Sequence, residues 1–471
     1  MTLIYNAFLI DEDTSTPGCI IIDGGKIKDA ISGSFPTKES LADEPKLKDI
    51  MNAPDTVLVD AEKMTVMPAF IDMHAHFRYP GQTQKEDLDS ALKAAAAGGF
   101  GTLVLMPNTN PVISSAEAAL KVNQEAAERK MSKVFQTVSI TAAFEGKDTS
   151  HLDSLDCRKI PVITEDGHDV DSASVMLEGM QKAAKNGQIV SVHSEDIPLS
   201  IEAKEYRSRA LKTMKEYGIP AWGVFNKEAL SGIPRNVLDE IEANITKANH
   251  LLELAEDIAT QRNITIAQKA GCHVHVAHCS TVKSIQAVRA AKEWLKTQNG
   301  CTSGFKVTCE VTPHHLALCG DTEPKIFAFV NPPLRTPEDR RAVIEALRDG
   351  TADVISTDHA PHTAEDKAAG SPGFTGLETA YAVCNSVLVK QEGFSKSRLS
   401  SLMSAAPARI LGLKKGLLKA GYDADIVFAD PEEEWICDSS VFMSKGKASP
   451  FNGEKLTGKT HQLWIEGNRI F

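Results

Sequence analysis

Eight short apolar runs, each closed by polar residues, constrain this chain more than any other feature. They are VMPAFIDMHAH (66–76), FGTLVLMPNT (100–109), VFQTVSITAAF (134–144), KIPVITED (159–166), IVSVHSED (189–196), CHVHVAHCS (272–280), FKVTCEVTPHH (305–315) and ADVISTDHAPH (352–362). Amphipathic stretches lie between most of them. The clearest are SAEAALKVNQEAAERK, SASVMLEGMQKAAKNG, TVKSIQAVRAAKEWLKTQ and TPEDRRAVIEALRDG, each opening on a Ser or Thr able to cap a first turn. Eight strand–helix units in series predict an α/β fold, a closed (β/α)8 TIM-like barrel. His and Asp gather at the C-terminal ends of the runs, the face where such barrels place their chemistry.

The flanks read differently. GCIIIDGGKIKDA (18–30) has the form of a hairpin with a Gly-Gly turn. GLLKAGYDADIVFAD (416–430) and HQLWIEGNRIF (461–471) are strand-like near the other terminus. Residues 1–67 and 413–471 are therefore expected to form one small β-sandwich domain, leaving 68–412 for the barrel. A polar stretch at about 197–250, containing EYRSRALKTMKEYG and VLDEIEANITKANH, is expected to be a helical insertion.

At 471 residues the chain can hold a barrel plus additions, and it needs no disulfides to stabilise a core of that size. The net charge of −12 argues against nucleic acid and requires any anionic substrate to be met by a local cation. Nine scattered cysteines, Cys19, Cys157, Cys272, Cys279, Cys301, Cys309, Cys319, Cys384 and Cys437, include no CxxC pair, which suits reduced thiols in the cytoplasm. The apolar start, MTLIYNAFLI, lacks a basic segment and runs into Asp11, Glu12 and Asp13, so neither a signal peptide nor a membrane span is expected.

Metal chemistry is read from five strand ends. His74 and His76 stand two apart, so a strand projects both imidazoles from one face as a clamp. Asp72 just before them could orient a ligand imidazole. Asp166 in TEDG, His193 in VHSED, His278 in HVHVAH and Asp358 in STDHAPH add two imidazoles and two carboxylates. Each alone is more often an ordinary hydrogen-bonded polar residue. His273 and His275 share strand parity and are read as structural, whereas His278 lies where the loop opens. An acid after a buried strand, as at Asp358, needs a partner or a metal. Four imidazoles and two carboxylates exceed the needs of one four-coordinate zinc and suit two ions about 3.5–4 Å apart sharing a carboxylate. Zinc is the expected ion, one or two per chain; iron, cobalt or manganese would also fit these ligands.

This pattern resembles the amidohydrolase superfamily and, within it, the dihydroorotase family of the long bacterial type. The matching pieces are DMHAHFRYPGQTQKED, LMPNTNP, TEDG, VHSED, AHCST, NPPLR, STDHAPHT, GFTGLET and SPFNGEKLTG, from residue 72 into the C-terminal segment. The resemblance implies that His74 and His76 hold the more buried metal, that His193 and His278 hold the second, and that Asp166 bridges. It implies that Asp358 is both ligand and proton shuttle, and that Arg78, Asn108, Asn331, His362 and the backbone near Gly376 bind substrate. The implied reaction is reversible cyclisation of N-carbamoyl-L-aspartate to dihydroorotate, in which metal-activated water serves the hydrolytic direction.

Arg78 makes independent sense, because guanidinium forks onto a carboxylate. Asn108 could both donate to and accept from a ring amide, Asn331 precedes the stiff Pro332-Pro333 pair, and His362 follows Asp358 by four residues. Three departures stand out. Glu165 beside Asp166 leaves the bridging position open by one residue, Tyr79 stands where an acid is usual, and the interval from His193 to His278 is long. Two other readings remain. One is a hydantoinase, dihydropyrimidinase or allantoinase, where a bridging lysine is expected. The other is a non-catalytic homologue scaffolding aspartate transcarbamoylase, which should have lost ligands. A homo-oligomer is expected, and a partnership with the transcarbamoylase is compatible with catalysis.

Overall fold

The computed structural model describes residues 1–221, 230–298, 303–320 and 328–471. Cys301 and positions 222–229 of the expected insertion lie outside the described residues. Eight parallel strands form the barrel: β6 (Phe70–Ala75), β7 (Phe100–Leu105), β8 (Lys133–Gln136), β9 (Val162–Thr164), β10 (Ile189–Val192), β11 (His273–Val276), β12 (Lys306–Val311) and β13 (Val354–Ile355). Two hydrogen-bonded sheets, β6-β7-β8 and β9-β10-β11-β12-β13, are closed into a ring by the parallel bridges Val138↔Ile163 and Ala75↔His359. The second bridge sits beside Asp358, so the seam that closes the barrel also fixes a site residue.

The four clearest amphipathic stretches are helices, at Ala116–Glu128, Ala173–Asn186, Val282–Thr297 and Pro337–Asp349. Ser115, Ser172, Thr281 and Thr336 accept the first-turn amides as N-caps, and Gly187 and Gly350 end two of them in the left-handed conformation. Their apolar faces and the outward side chains of the strands form one buried cluster that includes Val190, Val274, Val307, Ile285 and Val343.

A second sheet uses both ends of the chain. Its strands are β1 (Thr2–Ile10), β2 (Ser15–Asp23), β3 (Lys26–Ser32), β4 (Val57–Asp60), β5 (Thr65–Pro68), β14 (Ile426–Ile436), β15 (Lys455–Ile465) and β16 (Asn468–Arg469), ordered β16-β15-β14-β5-β1-β2-β3 with β4 beside β1. Gly24 and Gly25 turn between β2 and β3 with φ of 58° and 75°, a backbone that glycine adopts without strain. Ile4, Ile20, Ile27, Val66, Phe428 and Trp464 share one apolar cluster, so the sheet curls over its own inner face as a sandwich does.

The run read as one strand over 66–76 is two. β5 stays paired with β14 as far as Pro68, which faces Ile426. The chain leaves β5 at Pro68 and enters the barrel through the single residue Ala69. The stretch after β10 is helical, at Ile197–Glu216 and Arg235–Ala270. The second helix is 36 residues long and ends directly before β11, so it serves as the barrel's own helix too. No helix among the described residues is long and apolar enough to cross a membrane, and no disulfide is found among the described residues.

Candidate metal centre

The six residues singled out as ligands meet at the C-terminal mouth of the barrel. His74 lies on β6 and His76 one residue past it; Asp166, His193, His278 and Asp358 follow β9, β10, β11 and β13 by one to three residues. All six are nearly solvent-free, from 1% exposed at His74 to 6% at His76. Asp166 is at the middle. Its Oδ1 is 3.3 Å from His74 Nε2, 3.4 Å from His193 Nδ1 and 3.9 Å from His278 Nε2, and its Oδ2 is 3.5 Å from His76 Nε2. Asp358 Oδ1 is 3.1 Å from His76 Nε2 and 3.6 Å from His74 Nε2. His193 Nδ1 and His278 Nε2 converge to 2.8 Å. Two overlapping sets of donor atoms result, His74–His76–Asp358 and His74–Asp166–His278. His278 and Asp358 hold φ of 32° and 47°, a left-handed backbone that side chains adopt at a cost, often at functional sites.

Neighbours hold the far nitrogens of three imidazoles. His74 Nδ1 meets Glu310 Oε1 at 2.7 Å and His76 Nδ1 meets Asn108 Oδ1 at 2.9 Å. His193 Nε2 lies 3.5 Å from Glu195 Oε2. With Glu310 and Asn108 accepting from Nδ1, His74 and His76 would each be able to present Nε2 to a cation. The sequence reading missed Glu310 and Glu195. A carboxylate inside the apolar stretch VTCEV was the available signal for Glu310, by the same burial argument applied to Asp358.

Asp72 does not orient an imidazole. Its carboxylate accepts the Thr357 amide at 2.9 Å, the Thr357 hydroxyl at 2.5 Å and the His74 amide at 3.2 Å. It fixes the backbone next to Asp358 instead. Glu165 is turned away, with both oxygens on Thr141, and burial pushes it up to about 7.

The electrostatics call for positive charge. Burial disfavours a charged His193, yet the carboxylates of Asp166 and Glu195 push it up to about 10. His74 is likewise buried, and Asp166, Glu310 and Asp358 hold it well above the ordinary imidazole value. Asp358 stays below the usual carboxylate range despite burial, because His74 and His76 face it. His74 Nε2 and Asp166 Oδ1 are buried and lie 3.3 Å apart without a hydrogen bond to any partner. Buried orphan atoms of this kind are costly unless an ion completes them. Nitrogen and oxygen donors in this number fit divalent cations such as zinc.

Beside this cluster, Arg78 is 9% exposed with φ of 55°. Its Nε donates to Pro361 O at 3.2 Å, and its Nη2 lies 3.3 Å from His362 Nε2. Among the described residues no carboxylate lies within ion-pair distance of it. The other expected substrate contacts are occupied. Asn108 Nδ2 donates to Asp166 at 3.3 Å while its oxygen holds His76. Asn331 Nδ2 donates to Glu195 at 2.5 Å. The Gly376 amide meets His359 Nδ1 at 3.2 Å and its carbonyl accepts from Thr379.

Residues 65–470 match the amidohydrolase family. The chain belongs to the amidohydrolase family. Among its curated relatives is a dihydroorotase of Clostridium botulinum, 34% identical across 97% of this chain and 96% of that one. The dihydroorotase of Bacillus subtilis is 36% identical over 85% and 86% of the two chains. Among solved structures, an L-hydantoinase (dihydropyrimidinase) from Arthrobacter aurescens superposes with a TM-score of 0.77 at 23% identity, covering 100% of this chain and 95% of that one. A dihydropyrimidinase from Brevibacillus agri gives 0.76 at 19%, covering 100% and 94%. At such identities these two establish the barrel fold shared across the amidohydrolases.

Proposed function

We propose that this amidohydrolase is a dihydroorotase, interconverting N-carbamoyl-L-aspartate and dihydroorotate. The observation that carries the choice of substrate is Arg78, a buried guanidinium without a carboxylate partner among the described residues, set beside the ligand cluster. A substrate carboxylate would complete it. Hydantoin and dihydrouracil rings carry no such group. The absence of a lysine at Asp166 also favours this reading over a hydantoinase.

His74, His76, His193, His278, Asp166 and Asp358 would hold one or two zinc ions, with Asp166 as the shared carboxylate. When bound, such ions polarise a carbonyl oxygen and lower the pKa of water. Arg78, with His362 against it, would grip the ring carboxylate and set the amide carbonyl toward Asp358. Asp358, ionised and close to His76, would take a proton from the attacking water and return it to the ring nitrogen as the C–N bond breaks. Ring closure reverses these transfers and consumes a proton with the carboxylate, so acid favours it.

Ultraviolet assays of metal-quantified protein with dihydroorotate, dihydrouracil and allantoin test the reading. Turnover of dihydroorotate alone, lost with a chelator and restored by zinc, supports it; preference for an uncharged ring overturns it. The resemblance also raises association with aspartate transcarbamoylase, which co-elution of the two proteins tests.

A further inference from the structure

The inside of this barrel is two-sided. Ile71, Met73, Val104, Met106, Phe135, Val162, Ile189 and Val354 make one apolar cluster there. Packed interiors of this kind are dominated by branched apolar side chains. On β11 and β12 the inward positions are instead His273, His275, Thr308 and Glu310, and the register pairs His275 with Thr308. These side chains form a continuous column. His273 Nε2 is 3.0 Å from Thr308 Oγ1, which is 2.8 Å from His275 Nδ1. His275 Nε2 is 3.1 Å from Glu310 Oε2, and Glu310 Oε1 is 2.7 Å from His74 Nδ1. The far end, His273, borders a cavity of about 490 Å³ lined also by Lys306, Gln188 and Pro161.

Only one arrangement of protons satisfies the column. His74 must leave Nε2 bare to face a cation, so it donates from Nδ1 to Glu310. The second Glu310 oxygen accepts, so His275 donates from Nε2 and must accept at Nδ1. Thr308 supplies that proton and accepts in turn from His273. Burial pushes His273 down to about 3, which keeps it neutral as this direction requires. Glu310 Oε1 also receives the backbone amide of His278 at 3.3 Å. One carboxylate therefore holds the His74 imidazole and the backbone of His278, two of the three residues in the set His74–Asp166–His278.

We propose that Glu310 is a positioning residue for the metal centre, and that His275, itself oriented by Thr308, aims it at His74. The proposal rests on the metal-binding reading above. Partners of ligand imidazoles typically contribute roughly 10–100-fold to metal affinity.

The test measures zinc affinity by chelator competition on metal-free protein, with thermal melts of the same samples as a check of folding. Glu310→Gln keeps the shape and removes the charge, and it should weaken zinc by roughly 10–100-fold. His275→Gln retains a donor at the Nε2 position and should bind zinc like the parent, whereas His275→Met, which fills the space without a donor, should weaken it. Parent-like affinity in Glu310→Gln overturns the proposal. Equal losses in His275→Gln and His275→Met also overturn it, because packing alone would then explain both. If Glu310→Gln does not fold, the His275 pair decides. Failure of the parent protein to bind zinc would be a different result, removing the metal reading itself.

Discussion

Replacing Arg78 by methionine separates substrate recognition from the rest of the site. The guanidinium is 9% exposed, held by Pro361 O and by His362, with no carboxylate in ion-pair range among the described residues. On the proposed reading, a substrate carboxylate entering there would form a desolvated, charge-assisted pair. Truncating one partner of such a pair costs about 2–5 kcal/mol, which is roughly a 30- to 4,000-fold fall in kcat/KM for dihydroorotate. The free protein should lose little stability, because burial itself opposes the Arg78 charge. Zinc content should be unchanged, and any weak hydrolysis of uncharged dihydrouracil should be unaffected. Steady-state kinetics on both substrates, metal analysis and a thermal melt give the four readings. A variant within about threefold of the parent on dihydroorotate, where about 2–5 kcal/mol is expected, refutes the reasoning. So does an equal loss on dihydrouracil, which would place Arg78 in general site architecture.

Three further outcomes are expected. Asp358→Asn should lower kcat by about two orders of magnitude or more through loss of the proton carrier, with a melt near that of the parent and residual metal measured alongside; near-normal turnover would remove Asp358 from the proton path. Glu256 and Arg335 form a buried ion pair at 3.0 Å that also engages Ser280, next to the His278 loop. Glu256→Ala should cost about 3–5 kcal/mol by stranding Arg335, and the double variant Glu256→Ala/Arg335→Met should cost less than the single change in denaturant unfolding. Burial pushes His273 down from an ordinary 6.5 to about 3 in the folded chain, so the unfolded chain takes up its proton first. Its contribution to stability is complete above pH 6.5 and falls as the pH drops toward 3. Melts of His273→Gln across that range should show a shallower acid decline than the parent.

What the sequence disclosed, it disclosed through short-range rules. The two-residue spacing of His74 and His76, the position of Asp166, His193, His278 and Asp358 just past apolar runs, and the capping residues of four helices are all local signals. The barrel and the convergence of these six side chains at its mouth were legible on that basis. Contacts set by strand register were not. His275 and Glu310 lie 35 positions apart, and only the pairing of β11 with β12 brings them together. Asn108 reads as a free amide until the fold sets it between His76 and Asp166. Asp72 looks like a partner for its neighbour His74, but the curvature of the barrel presents Thr357 to it instead. The insertion has no visible end because no glycine or proline interrupts the chain from Arg235 to Ala270, so one helix serves both it and the barrel.

The curled sheet joins strands from opposite ends of the polypeptide, and this orders events during synthesis. β5 emerges early, yet its partner β14 begins at Ile426, after the whole barrel has been translated. Until then the β5 edge has unpaired amides and carbonyls that could recruit another nascent chain. A ribosome that stalls before β14 would release a barrel with an adhesive rim. Messages cut short near their 3′ end should therefore yield aggregates rather than a smaller working enzyme.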